Sequence, residues 1–166
     1  MENWKLIDSF PKYEVSDHGQ IRMIKNERVI AQYENQSGTV CCGMMRDGKQ
    51  YHRSVPLLVA RAFVKPAWNL FDTPINLDGD RWNNHINNLV WRPRWFAVKY
   101  NRQFLTPYST PILFPIKDMD TGDIYRDSID CCKINGLLEE DLVLSIFNRT
   151  TTWPTQQRFS IVLIES

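Results

Sequence analysis

The chain has 166 residues, 43% of them apolar, and carries 20 Lys+Arg against 19 Asp+Glu for a formal net charge of +1. That length admits one compact domain or two or three small modules in series. It excludes a membrane-spanning helix, since the apolar run from Val55 to Val64 is broken by Pro56 and Arg61 and falls short of the roughly 20 residues a span requires. No apolar segment follows Met1-Glu2-Asn3-Trp4-Lys5, so a secretory leader is not expected and the cytoplasm is the default location. The cysteines form two adjacent pairs, Cys41-Cys42 and Cys131-Cys132, without zinc-knuckle spacing, and are read as reduced, small apolar residues.

Charge is uneven along the chain. Residues 1–105 hold 15 Lys+Arg and 10 Asp+Glu, whereas residues 106–166 hold 5 and 9. The first part suits phosphates, and the second does not.

Residues 4–22 place Trp4, Ile7, Phe10, Tyr13 and Val15 around Pro11, then the turn Ser16-Asp17-His18-Gly19, a pattern of short strands and a hairpin. From Arg28 to Arg53 apolar and polar residues alternate, and Asp47-Gly48 is a hairpin turn, which predicts a small antiparallel sheet. Helical spacing runs from Val55 to Val64, with Pro56 in the first turn and Pro66 beyond the end. A strand ending near Asn76, a loop through Asn83-Asn84 and a strand from Asn88 to Trp91 come next, followed by a helix from Trp95 to Phe104. The last third reads as a strand over 112–119, the turn Asp120-Thr121-Gly122-Asp123 and a strand over 124–126. A helix over 129–133 with Ser128 as its cap follows, then a break at Asn135-Gly136, a helix over 139–147 and a final strand over 159–164.

Trp4, Ile7, Tyr13-Glu14-Val15-Ser16 and Gly19-Gln20-Ile21-Arg22 follow the spacing of the NUMOD4 module, which this segment closely resembles and which precedes HNH cores in phage homing endonucleases. Leu77, the turn Asp78-Gly79-Asp80, Asn83-Asn84 and Asn88-Leu89 resemble the HNH core itself. More weakly, residues 108–166 resemble the NUMOD1-type module. The resemblance implies an α+β fold: a small antiparallel N-terminal sheet with a ββα-metal (HNH) element, then a small β/helix-turn-helix-like module. The expected segments are 1–54, 55–107 and 108–166.

An HNH nuclease cleaves a phosphodiester with one divalent cation, held by hard oxygen ligands, and one histidine that takes a proton from water. The resemblance maps the first ligand to Ile75, the base to Asn76 and the second ligand to Ala97. Ile75 and Ala97 have no lone pairs for a cation, and the Asn76 amide is no base near neutral pH. Loss of a general base alone costs about 10²–10⁴ in rate. Asp72, Asp78, Asp80, His85 and Asn88 are the nearby residues that a shifted register would recruit, His85 as base with Asp78 or Asp80 on a cation. Against that, Asp78-Gly79-Asp80 reads as a tight turn, His85 as a loop residue, and Asn83, Asn84 and Asn88 as fasteners of the loop.

Arg81, Arg92, Arg94, Lys99 and Arg102 interleave with Trp82, Trp91, Trp95 and Tyr100, a mixture that fits DNA backbone contacts and equally fits core tryptophans with arginines extending from them. Glu139-Glu140-Asp141 suits the start of a helix but not a DNA-recognition helix, so the acidic module is expected to pack or to contact protein. The expectation is a phage-type HNH-like protein without nuclease activity that binds double-stranded DNA or a phage or host protein in the cytoplasm of an infected bacterium. No cofactor is expected. The alternatives are a working Mg²⁺-dependent nickase with rearranged ligands and a protein-interaction or virion-associated component that does not touch DNA.

Overall fold

The computed structural model describes residues 1–66, 68–106 and 110–162. By packing the chain divides into two units, Met1–Asn76 with Asp80–Arg94, and Leu77–Gly79 with Trp95–Ser166.

In the first unit, strands β1 (Trp4–Leu6), β2 (Tyr13–Ser16) and β3 (Ile21–Met23) form an antiparallel meander. The β2–β3 turn is set by Ser16, whose Oγ accepts from the amides of His18 and Gln20, and by Gly19, whose φ of +86° suits a residue without Cβ. Strands β4 (Gln32–Glu34), β5 (Val40–Arg46) and β6 (Lys49–Ser54) form a second sheet. Asp47 and Gly48 both have positive φ, the backbone a two-residue hairpin requires. Helix α1 (Val55–Phe63) starts where Ser54 accepts from the Leu57 amide, with proline in its first turn. Strands β7 (Thr73–Asn76) and β8 (Leu89–Arg92) pair antiparallel, with Ile75 opposite Val90 and Asn76 opposite Leu89. A single core joins Phe10, Val15 and Ile21 to Val40 and Met44, Val55 and Val59, and Leu89. Each such side chain contributes about 1.5–3 kcal/mol by leaving water.

The second unit contains α2 (Arg94–Gln103) from Trp95 onward, β9 (Ile116–Asp118), β10 (Ile124–Tyr125), α3 (Ser128–Asn135), α4 (Glu139–Asn148) and β11 (Phe159–Ile161), with the strands ordered β10-β9-β11. Ile116, Tyr125, Cys131, Cys132, Leu137, Leu142 and Phe159 form its core. The Tyr100 hydroxyl donates to the carbonyls of Leu77 at 2.6 Å and Cys132 at 3.3 Å, which explains why Leu77–Gly79 packs with this unit.

Several expectations need correction. The strand over 112–119 shortens to Ile116–Asp118, because Pro111 and Pro115 have no N–H to donate and the Ile112 amide turns to Ser128 Oγ. Asp127, not Ser128, caps α3: its side chain accepts from Asp130 N at 2.7 Å, and Ser128 is buried and donates to Glu139 Oε1 at 2.6 Å. Helix α3 consequently runs from 128 to 135, ending on Gly136 in the left-handed region. Strands β5 and β8 and helix α1 share one core and pack within the first unit. Residues 163 and 164 of the expected last strand, and the boundary near 108, lie outside the described residues.

Candidate functional site

The β7–β8 hairpin of the first unit presents Ile75 and Asn76 at adjacent positions of one strand. Strand alternation sends their side chains to opposite faces, and both are buried, at 1% and 5% exposure. Asn76 Nδ2 donates to Asn83 O at 2.8 Å and to Asn84 Oδ1 at 3.1 Å. Asn84 Nδ2 in turn donates to Arg81 O, and Asn88 Nδ2 donates to Asn83 O at 2.7 Å. The four asparagines therefore fasten the loop between β7 and β8 to its own strands. In the second unit Ala97 is buried on α2.

Asp72, Asp80 and His85 are engaged in local hydrogen bonds. Asp80 is exposed, and its Oδ1 accepts from Trp82 N at 2.9 Å, an Asx turn. Asp78 is half-buried before Gly79, whose φ is +80°. Asp72 is exposed and accepts from the Thr73 hydroxyl. His85 caps the short 3-10 turn Ile86–Asn88, its Nδ1 accepting from Asn87 N at 3.2 Å. A neutral imidazole that accepts at Nδ1 carries its proton on Nε2, so the outer nitrogen is a donor and not a base while the cap is kept.

His85 also has a neighbour from a distant part of the sequence. The ring of His18, in the β2–β3 turn, lies 4.8 Å from that of His85, and His18 Nε2 is 3.8 Å from Asp17 Oδ1. Asp17 is held by Asn3, whose backbone and side-chain nitrogens donate at 3.0 and 2.7 Å, and its carbonyl accepts from Ile86 N. The Asn3 side-chain hydrogen bond is the main cause holding the Asp17 carboxyl below its ordinary value, with the Asn3 amide and the two histidines acting in the same direction against burial. The motif reading missed this cluster. The signal available for it was Gly19: a Cβ there would lie 2.9 Å from Asn84 Cβ, so that glycine marks the place where the turn meets the loop.

The basic residues separate by burial. Arg92 is 5% exposed, donates to Trp91 O at 2.9 Å and lies over the Phe71 ring, which removes it from the phosphate-facing set. Arg81 is half-buried and donates to Ser37 O at 2.6 Å, tying the loop to the β4–β5 turn. Arg94 and Arg102 are exposed, and Lys99 pairs with Glu140 at 3.7 Å. Trp91 is buried with its indole donating to Val64 O, and Tyr100 is fully buried, whereas Trp82 and Trp95 are about half exposed.

The NUMOD4 motif model matches residues 2–44, the run from β1 into β5. An uncharacterized HNH endonuclease of Acanthamoeba polyphaga mimivirus, L245, is 32% identical to this chain over 136 residues, 81% of this chain and 39% of that protein. The chain carries a NUMOD4 motif and is similar to HNH endonucleases. It spans about two fifths of the length of that curated relative. The HNH homing endonuclease I-HmuI, solved in work on its DNA binding and cleavage, shares the fold with a TM-score of 0.53 and 21% identity, over 98% of this chain and 99% of that one.

The likeness to HNH endonucleases raises the question of whether this chain's donors fit a cation. At the positions to which the resemblance assigns ligands they do not. Ile75 and Ala97 offer carbon, the Asn76 amide is bound to Asn83 and Asn84, and no group of three or more His, Cys, Asp or Glu suited to a metal is found among the described residues.

Proposed function

We propose that this chain is a DNA-binding member of the HNH endonucleases whose hydrolytic site has been converted into a structural one. The observation that carries the reading is Asn76: the residue in the position of the general base spends both N–H bonds on closing its own loop. Ile75 and Ala97, buried and without donors, fit the same account. Binding needs only phosphate contacts, and exposed Arg94 and Arg102 remain suited to them.

Supercoiled plasmid incubated with the protein and Mg²⁺ or Mn²⁺ tests the loss of hydrolysis. The expected result is no nicking above background. Robust nicking that His85→Ala or Asp78→Ala abolishes would establish the rearranged-ligand nickase, with Mg²⁺ as its cofactor. Duplex affinity measured against salt tests binding: log K should fall with log salt, and Arg94→Ala should lower the slope by about one phosphate contact. A flat profile would instead favour a protein partner, phage or host, as the ligand.

A further inference from the structure

The second unit carries a groove of about 420 Å³ whose lining includes Trp95, Trp153, Asp141, Leu144, Asn148 and Thr151. We propose that this groove seats an arginine side chain of a partner protein, stacked on the Trp95–Trp153 pair and bonded to the Asp141 carboxylate. The two indoles stack with centroids 5.4 Å apart and planes 27° from parallel, and Trp95 keeps 54% of its surface exposed. A planar guanidinium stacks on such a face and offers a carboxylate two parallel N–H donors.

Charge selects a cation over a phosphate. Among the described residues, no basic one lines the groove. Glu140 is paired with Lys99, which leaves Asp141 as the carboxylate at the groove. Burial, followed by the charge of Glu140, pushes the Asp141 carboxyl up against the opposing charge of Lys99, and an arriving cation offsets the repulsion from Glu140. Sugar stacking on the same indoles would bring no cation to Asp141.

The surroundings indicate protein. Helix α4, Glu-Glu-Asp-Leu-Val-Leu-Ser-Ile-Phe-Asn, contains no Lys or Arg, and it exposes Leu144 and Phe147 at 53% and 71%. An apolar ridge with an aromatic–carboxylate seat at its side matches a basic, apolar segment of a polypeptide. This surface lies wholly within the second unit and does not depend on the DNA-binding reading.

The test is a titration of the full, ¹⁵N-labelled chain with N-acetyl-arginine amide, followed through the tryptophan indole N–H signals and assigned with Trp95→Phe and Trp153→Phe. N-acetyl-glutamine amide, glucose and a DNA duplex are titrated in parallel. The signals of Trp95 and Trp153 should move selectively with the arginine probe. Asp141→Asn should weaken the response about fivefold, the order of a partly exposed ion pair, while Asp141→Glu retains it. Unmoved signals of the other four indoles certify the fold of each variant. Equal movement of all six indoles, an unchanged response in Asp141→Asn, or a stronger effect of glucose or duplex on Trp95 and Trp153 would overturn the proposal.

Discussion

Replacing Asn76 with alanine removes a donor that two acceptors share, and the consequences for the two differ. Asn83 O keeps the Asn88 side chain at 2.7 Å, so losing its bond from Asn76 costs about 0.5–1.5 kcal/mol. Asn84 is 2% exposed, and its Oδ1 faces the lost amide, so a stranded buried acceptor adds about 1–3 kcal/mol. Urea unfolding of Asn76→Ala should therefore show a loss of about 2–4 kcal/mol. The Asn76→Ala/Asn84→Ala double variant should lose less than the sum of the single variants, since removing both partners leaves nothing stranded. Asn76→His should be destabilised in the same range and should still not nick DNA, because positions 75 and 97 supply no ligand. A loss below about 1 kcal/mol for Asn76→Ala, or strict additivity in the cycle, would refute the structural role assigned to Asn76.

Gly79→Ala should cost about 1–3 kcal/mol in the same assay, because φ is +80° and the new Cβ would approach Phe104 Cδ2 to 2.8 Å; a neutral substitution would contradict that geometry. Asp17, with its folded pKa lowered by Asn3, contributes stability that is present above its unfolded pKa of about 4 and is lost as pH falls through the folded value. The stability gap between the parent chain and Asp17→Asn should therefore shrink as pH falls below about 4, and a gap that widens there would refute the assignment. Burial pushes the thiols of Cys42 and Cys131 up to about 12, so thiol reagents at neutral pH should label these two on unfolding and not in the native chain.

Element positions were largely legible because period and punctuation agreed. Pro56 marks the first turn of α1, Asp47-Gly48 marks the β5–β6 turn, and Gly136 ends α3. The cap of α3 was not legible, since Asp127 and Ser128 are adjacent residues of equal capping chemistry. The choice falls to Asp127 because Ser128 satisfies buried Glu139, a contact eleven residues away. The interleaved arginines and tryptophans could not be sorted by spacing either. Strand β8 buries both Trp91 and Arg92, while Trp82, in the loop, stays exposed. The asparagine fasteners of the loop could be read from their chemistry. Contact between the His18 and His85 rings could not, since it depends on how a hairpin turn meets a loop far along the chain.

The meeting of that turn and loop bears on how such chains can be recombined. Asp17 O holds the Ile86 amide, and Gly19 leaves the room that Asn84 occupies, so the matched 2–44 segment ends in sequence well before it ends in space. Transplanting it onto a different core would require the recipient loop to bring its own counterparts of Asn84 and Ile86. Without them, the graft would have a hairpin tip shaped for a surface that is no longer there.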